Sequence, residues 1–238
     1  MQQYFVDKIE NNQALITGQD AHHIKNVMRC NIGDNFRVCN RGTCYFGTIE
    51  ELTKTAVLVF LGEAYQSTEL KIKVDIAQSL IKREKFELMI QKSSELGVRN
   101  IVPIKAKNSV VKINSNKEDS KIKRWNTIAK EACEQSERSR KASVESPKTL
   151  KEVDYTLYDK VYVLYAREDN KQLSFDNVLF DKVLVVIGPE GGFAKEEIEY
   201  LDSLENSEVV SLGNRILRSE TASMYMLSVL GYMDGLEQ

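Results

Sequence analysis

The pattern of apolar residues before position 70 is that of short strands. Runs such as Phe36–Val38 and Ala56–Phe60 are separated by turn signals at Gly33-Asp34 and Arg41-Gly42. Strands that recur at this spacing, with turn residues between them, predict a small β-barrel. We therefore expect an N-terminal β-barrel domain over residues 1–70.

One helix is predicted to interrupt these strands. The segment His22–Arg29 places Ile24, Val27 and Met28 at spacings that share one helical face. Asp20 precedes the segment and is predicted as its N-cap, because an aspartate side chain can accept the free N–H groups of the first turn. This helix would pack on the barrel through its three apolar side chains.

From residue 71 the pattern alternates between strands and helices. The apolar runs have strand length and are covered on both faces, as in a parallel sheet, and the segments between them have helical spacing. This alternation predicts an α/β domain over residues 71–238. The predicted strands are Lys71–Ala77, Ile101–Ile104, Val161–Tyr165, Val183–Ile187 and Val209–Leu212, and the predicted helices cover 86–96, 122–133, 194–203 and 218–234.

Composition and charge narrow the class of protein. The apolar fraction of 42% and the charged fraction of 29% are those of a globular chain. No apolar run has the length of a membrane span, and the first residues lack the pattern of a signal peptide, so a cytoplasmic protein with no membrane partner is expected. The net charge of −2 conceals a segment, 99–141, with a net charge of +7. Local positive charge of this size is compatible with nucleic-acid binding and equally with a solvated helical face.

The cysteines do not predict a metal site. Cys30, Cys39, Cys44 and Cys133 lack the paired spacing of a structural zinc site. We therefore expect no metal, and free thiols in a reducing compartment.

Two loops in the C-terminal half carry the candidate chemistry. In open parallel sheets, ligands bind beyond the carboxyl ends of the strands. The run Gly188-Pro-Glu-Gly-Gly-Phe193 follows one predicted strand, and its glycines allow close approach of the backbone to a ligand. A tight strand-to-helix turn is the alternative. The run Gly213-Asn-Arg-Ile-Leu-Arg-Ser-Glu-Thr-Ala222 follows the next strand, and Ser219 or Thr221 is predicted to cap the helix after it. That last helix is apolar nearly all round, which predicts a core or subunit-interface position.

These runs resemble a known family. Gly188-Pro-Glu-Gly-Gly-Phe193 followed by Leu212-Gly-Asn-Arg-Ile-Leu-Arg-Ser-Glu-Thr-Ala222 is similar to the paired C-terminal signature of the 16S ribosomal RNA uridine-N3 methyltransferases, which belong to the SPOUT class. The segment that begins Gln78-Ser-Leu-Ile-Lys-Arg, the segment Glu134-Gln-Ser-x-Arg138 and the His22-His23-Ile24 region resemble the family in the same order. Two positions depart from its pattern: Gln3 stands where an arginine is usual, and Lys141-Ala-Ser143 separates the Arg138 segment from the next proline.

The resemblance implies a PUA-like barrel followed by a SPOUT domain with a trefoil knot. It implies S-adenosylmethionine as the methyl donor, bound by the loops after three strands. The implied cofactor residues are Leu164, Ile187, Gly188, Pro189, Glu190, Gly191, Gly192, Leu212, Gly213, Ile216, Leu217, Arg218, Thr221 and Ala222. Backbone groups near Leu212, Ile216 and Leu217 would hold the adenine, because main-chain N–H and C=O groups between apolar walls can read its edge.

The implied reaction methylates N3 of a uridine, at position 1498 in the numbering of the small-subunit RNA. The protein must then remove the N3 proton and stabilise the anion that develops. Arg218 is the candidate for contacting that anion or a nearby phosphate, since a guanidinium offers two parallel donors. Glu190 and Glu220 are candidate proton acceptors, and each could instead be a structural partner of an arginine.

The implied partners are 16S ribosomal RNA, free or in the small subunit, and a second copy of the chain joined through the knotted domain. The candidate RNA-binding residues are Arg29, Arg41, Lys82, Arg83, Arg138 and Arg140. Alternatives are a SPOUT methyltransferase acting on another ribosomal or transfer RNA position, and an RNA-binding protein without catalysis. A P-loop hydrolase is disfavoured, because the chain lacks the Gly-Lys-Ser/Thr step.

Overall fold

A computed structural model describes residues 1–166, 171–173 and 180–236, with the backbone alone at 115, 171, 172 and 236. The chain forms two compact units. The first comprises Met1–Glu69 and Cys133–Lys141, and the second comprises Leu70–Ala132 and Ala142–Gln238. The predicted division into residues 1–70 and 71–238 follows sequence position alone, whereas the structure groups residues 133–141 with the first unit.

The first unit is built on a six-stranded sheet. Its order is β1-β4-β5-β6-β3-β2, in which β1 runs parallel to β4 and the other neighbours are antiparallel. The sheet encloses a core that includes Tyr4, Phe36, Ile49 and Val59. The strands are β1 (Gln3–Phe5), β2 (Ile9–Glu10), β3 (Gln13–Thr17), β4 (Asn35–Asn40), β5 (Thr43–Leu52) and β6 (Ala56–Tyr65).

The helix of this unit differs from its prediction. It begins earlier, as α1 (Gly18–His22), and continues as a π-helix over His23–Val27. Asp20 therefore lies inside the first turn and is not the N-cap, which is Thr17. The wider π turn, closed by a hydrogen bond from the Met28 N–H to the His23 carbonyl, moves residues out of the 3.6-residue register. As a result only Ile24 of the predicted apolar face is buried, and Val27 and Met28 are exposed.

The prediction of four free cysteines was wrong for one pair. Strands β4 and β5 are joined by a two-residue turn at Arg41-Gly42, whose positive φ angles of 47° and 95° suit a tight hairpin. This turn places Cys39 directly opposite Cys44, with Cα atoms 4.0 Å apart, and the structure joins the two in a disulfide. Cys30 and Cys133 are not disulfide-bonded.

The second unit is built on a seven-stranded sheet in which every described strand pair is parallel. Its order is β11-β13-β10-β12-β7-β8-β9. The strands are β7 (Lys73–Ser79), β8 (Asn100–Ile104), β9 (Ser143–Val144), β10 (Lys160–Leu164), β11 (Lys171–Gln172), β12 (Lys182–Ile187) and β13 (Ser207–Ser211). The helices are α2 (Arg83–Glu95), α3 (Glu118–Gln135), α4 (Lys195–Asp202) and α5 (Ser219–Leu236).

These elements confirm the predicted α/β class and each predicted strand and helix of the second half. Val161, Val163, Val183, Val185 and the other central strand residues are buried, as expected for strands covered on both faces. Strands β9 and β11 were not predicted, because two residues give no periodicity. The trefoil knot stays a prediction of the resemblance.

The last helix lies in the core along one side. Met226, Leu227 and Leu230 of α5 are buried, whereas Tyr225 and Tyr232 are 42% and 69% exposed. Asp234, near its end, accepts backbone N–H groups of Lys71 and Ile72 and so fixes the helix to the start of β7. Within the described residues, no helix combines the length and apolar character needed to cross a membrane.

Candidate functional site

The carboxyl ends of four neighbouring strands meet at one edge of the parallel sheet. Residues Val210, Leu164, Ile187 and Gln78 lie side by side in register on β13, β10, β12 and β7. The chain leaves β7 towards β8 on one side, and β10 and β12 lie on the other side, so the strand order reverses here. Such a reversal opens a crevice beyond the carboxyl ends, which is where open α/β sheets bind ligands.

The loop after β12 is closely packed. Phe193 is buried against Gly188, and a Cβ added to Gly188 would lie 3.2 Å from the Phe193 ring. The Gly192 N–H donates to the Pro189 carbonyl, which closes a turn, and Gly192 has a φ of 70°. Asn108, after β8, donates to the Gly192 carbonyl at 3.1 Å. The glycines thus permit both the turn and the close packing.

The loop after β13 leads into α5. Gly213 has a φ of 99°, Ile216 is 83% exposed and Leu217 is half-buried. The Arg218 carbonyl accepts the first helical N–H groups, from Thr221 and Ala222. The predicted cap by Ser219 or Thr221 is therefore wrong, because Ser219 is the first residue of the helix and its hydroxyl bonds to a different loop.

The third predicted cofactor loop follows Leu164. Leu164 ends β10 and is 8% exposed, and Tyr165 donates its N–H to the Val210 carbonyl. The loop continues into residues 167–170, which lie outside the described residues. Because β10 lies between β13 and β12 in the sheet, the first residues of this loop lie between the loops after those two strands.

The three candidate catalytic residues differ in their surroundings. Arg218 is exposed at the start of α5, and Glu190 is exposed on the loop after β12. Glu190 accepts the backbone N–H of Lys82 at 3.4 Å, so it lies at the end of β7. Glu220 is buried, and its Oε1 lies 3.1 Å from Nζ of Lys85 on α2. Among the described residues no group of three or more His, Cys, Asp or Glu side chains could hold a metal ion.

The sequence reasoning missed a hydrogen-bond relay at this edge. Nε2 of Gln78 lies 2.7 Å from Oγ of Ser219, and that hydroxyl lies 2.6 Å from the Gly188 carbonyl oxygen. Gln78 is fully buried. A polar residue at the end of an apolar strand is the signal that could have found it, because burying an amide is costly unless it is bonded.

Three candidate RNA-binding residues lie exposed on the first unit: Arg29, Arg41 and Arg140. Arg41 occupies the β4–β5 turn, and the Arg140 guanidinium lies beside Gly42 of the same turn, 3.7 Å from where a Cβ would be. Two arginines therefore lie at this hairpin, where local positive charge can meet phosphate.

Arg138 does not share this exposure. Its side chain is 5% exposed and pairs with Glu69, while its backbone carbonyl accepts Nε2 of Gln3 at 2.7 Å. Gln3 is itself buried. The buried guanidinium neutralises Glu69, which favours a structural role for Arg138, and its contact with RNA stays a prediction.

Lys82 and Arg83 are exposed at the start of α2 on the second unit. Arg83 pairs with Glu87 at 3.0 Å, and Arg124 of α3 forms two further bonds to the same carboxylate. The hydrogen bond from Arg124, with help from Arg83, lowers the pKa of Glu87 to about 2. This cluster leaves a net positive charge on the exposed face.

Comparisons with known proteins show which family the chain belongs to. The family described as the RNA methyltransferase domain matches residues 68–231, and the RNA methyltransferase PUA domain matches residues 16–61. The ribosomal RNA small subunit methyltransferase E of Bacillus subtilis is 37% identical over 99% of this chain and 98% of its own length. The chain belongs to this RNA methyltransferase family, as the resemblance implied.

Two solved structures share the whole fold. A protein from Legionella pneumophila in complex with S-adenosylmethionine is 28% identical with a TM-score of 0.82, over 97% of this chain and 96% of that one. The ribosomal RNA small subunit methyltransferase E of Neisseria gonorrhoeae, bound to S-adenosylmethionine, has a TM-score of 0.86 at 21% identity, over 98% of each chain. The latter likeness shows the fold alone.

Proposed function

We propose that this chain transfers a methyl group from S-adenosylmethionine to N3 of a uridine in 16S ribosomal RNA of the small subunit. The observation that carries the proposal is the convergence of the loops after β10, β12 and β13 at the reversal of strand order. The family and the B. subtilis relative support this reaction.

The methyl donor would lie across these loops. The residues present fit it: Gly188–Gly192 allow backbone N–H groups to approach the ribose and methionine parts, and the half-buried Leu212 and Leu217 offer apolar walls to an adenine. When bound, S-adenosylmethionine supplies a methyl group already activated by its sulfonium. The Legionella structure supports this choice of donor.

The chain's own residues would orient the uridine and manage its proton. As the new N3–CH3 bond forms, the sulfonium–CH3 bond would break and the neutral thioether S-adenosylhomocysteine would leave, while the N3–H bond breaks and its proton passes to a carboxylate. Of the two candidates, Glu190 is the better placed, because it is exposed on the loop, whereas the carboxylate of Glu220 is buried against the Lys85 ammonium. Arg218, exposed at the same edge, would stabilise the developing charge on the base.

RNA would be bound by both units, the first acting as the PUA-like RNA-binding domain and the second as the methyltransferase domain. Arg29, Arg41 and Arg140 of the first unit, and Lys82 and Arg83 of the second, are exposed cations that can contact phosphates. A target base within a helix would have to leave the stack before reaction. With this substrate the activity would belong in the cytoplasm, without a membrane partner.

The chain is further proposed to act as a homodimer joined through its knotted domain. Tyr225 and Tyr232 on the outer side of α5 support this, since exposed aromatic side chains on an otherwise apolar helix suit an interface. Sedimentation at micromolar concentration tests it: a Tyr232→Glu variant should shift the protein towards monomer.

The proposed reaction is tested by mapping methylated uridines in ribosomal RNA from cells with and without this gene. We expect N3-methyluridine at one small-subunit position to disappear when the gene is removed. An unchanged modification pattern would contradict the proposed reaction. A loss confined to another ribosomal or transfer RNA position would identify a different substrate.

A further inference from the structure

A directional hydrogen-bond relay links the end of β7, the start of α5 and the loop after β12. The Ser219 hydroxyl has one hydrogen, and the Gly188 carbonyl oxygen at 2.6 Å can only accept it. The hydroxyl must therefore accept its second bond, and Gln78 must present its amide nitrogen at 2.7 Å. The same nitrogen donates to the Ser79 carbonyl at 3.2 Å, which fixes the orientation of the amide.

The relay ends on the peptide group that begins the Gly188 loop. This peptide joins Gly188 to Pro189, so it has no N–H group. Its carbonyl oxygen is therefore the one atom through which a hydrogen bond can hold the orientation of the peptide plane. The Phe193 ring lies so close to Gly188 that an added Cβ would be 3.2 Å from it. The hydroxyl of Ser219 and the ring of Phe193 thus set the direction in which the chain leaves β12.

Burial makes the relay rigid. Gln78 is fully buried and Ser219 is 8% exposed, so water competes little for these bonds. Oε1 of Gln78 has no hydrogen-bond partner in the described part of the chain. The side chain is therefore held by its nitrogen alone, at the edge where the proposed donor site opens.

We propose that Gln78 and Ser219 are positioning residues that preset the Gly188 loop for the methyl donor. The inference rests on the proposed function of that loop. Neither residue needs to touch the reacting atoms. Loss of the relay lets the Gly188–Pro189 peptide rotate, and the donor must then order the loop when it binds, which weakens binding.

The test measures S-adenosylmethionine affinity by calorimetry for the wild type, Ser219→Ala and Ser219→Thr. We expect Ser219→Ala to raise the Kd for S-adenosylmethionine about tenfold, which is the equivalent of losing one hydrogen bond. Ser219→Thr should have the Kd of the wild type, because the hydroxyl remains. Ser223→Ala is the matched control. Ser223 is also fully buried on α5, but its hydroxyl donates to the backbone carbonyl of Glu220 within the same helix, so Kd should stay within about twofold of the wild type.

Gln78→Glu gives a second test that keeps the side-chain shape. An ionised carboxylate cannot donate, so at a pH above the raised pKa that burial gives this side chain it would draw the Ser219 hydrogen away from Gly188. The Kd for S-adenosylmethionine should again rise about tenfold, while kcat at saturating donor stays within a few-fold. Affinity equal to the wild type in folded Ser219→Ala or Gln78→Glu overturns the proposal. Absence of donor binding by the wild type itself would instead overturn the proposed function.

Discussion

The ammonium of Lys85 on α2 lies 3.1 Å from the buried carboxylate of Glu220 on α5. The two residues join the helix after β7 to the helix after β13, beside the edge where the candidate site lies. Glu220 is 5% exposed, and the ammonium is the ion-pair partner that compensates the burial of its carboxylate. The pair therefore stabilises the packing of α2 against α5 beside the candidate site. Of the two candidate proton acceptors, Glu190 is the accessible one.

Removing the partner of Glu220 should destabilise the protein. Lys85→Met leaves a buried carboxylate uncompensated, and the free energy of unfolding should fall by about 2 kcal/mol in urea unfolding. Lys195→Met is the matched control, because the Lys195–Glu199 pair is exposed on both sides and should contribute less than about 0.5 kcal/mol. Equal losses in the two variants would contradict the structural role of the Lys85–Glu220 pair.

The buried pairing of Arg138 with Glu69 predicts a loss of stability when the arginine is replaced. Arg138→Met should lower the free energy of unfolding by about 3 kcal/mol, since Glu69 is left without its guanidinium. Arg140→Met removes an exposed cation of the same segment and should cost less than about 0.5 kcal/mol. Both losses are measured by urea unfolding. A larger loss for Arg140→Met than for Arg138→Met would contradict the stabilising role of the Arg138–Glu69 pair.

The hairpin arginines should contribute to RNA binding through phosphate contacts. Arg41→Ala and Arg140→Ala should each weaken binding of a 16S RNA fragment, and each should lower the slope of log K against log salt by about 1. Glu10→Gln, on another part of the first unit, serves as a control whose slope should be unchanged. Unaltered slopes for both arginine variants would exclude this hairpin from the RNA surface.

The cluster around Glu87 should make stability depend on acid. Arg124 and Arg83 lower the pKa of Glu87 from an ordinary value near 4.5 to about 2. The stability that this carboxylate contributes is therefore fully present above pH 4.5 and is lost as pH falls towards 2. The difference in unfolding free energy between wild type and Glu87→Gln should shrink over that window. A difference that stays constant or grows as the pH falls would contradict the stabilisation of ionised Glu87 by the two arginines.

Much of the second unit was predictable from sequence because its central strands are near-continuous apolar runs. The runs Val161–Tyr165 and Val183–Ile187 correspond to adjacent parallel strands. Gly97 follows the end of α2 with a φ of 98°, a conformation that glycine adopts readily. Glycine- and proline-rich runs after the strands likewise indicated the loops at the carboxyl edge. In each case the signal is local, since it depends on residues within one element.

The features that the sequence did not reveal depend on partners far along the chain. Arg138 is paired with Glu69, Lys85 with Glu220 and Gln78 with Ser219. A local pattern can mark one member, such as the polar Gln78 at the end of an apolar strand, but it does not identify the partner. The π-helix at His23–Val27 was missed for a different reason: three apolar residues fit an ordinary helix equally well. The prediction of the site was limited because the residues that contact each other there are far apart in sequence.

Arg218 should matter for turnover more than for folding. Because its side chain is exposed, Arg218→Ala should leave the unfolding free energy within about 0.5 kcal/mol of the wild type. Loss of a donor to a developing anion should lower kcat about 100-fold. Arg215→Ala, an exposed arginine of the same loop, is the matched control. Turnover of Arg218→Ala equal to that of the control would remove Arg218 from the reaction.

The central claim is tested most directly by incubating the purified protein with small ribosomal subunits and methyl-labelled S-adenosylmethionine, and then identifying the labelled nucleoside by mass spectrometry. The account predicts a single labelled product, N3-methyluridine, formed by the wild type and about 100-fold more slowly by Arg218→Ala. Label on another atom or base, or no label despite saturable binding of the donor, would contradict it.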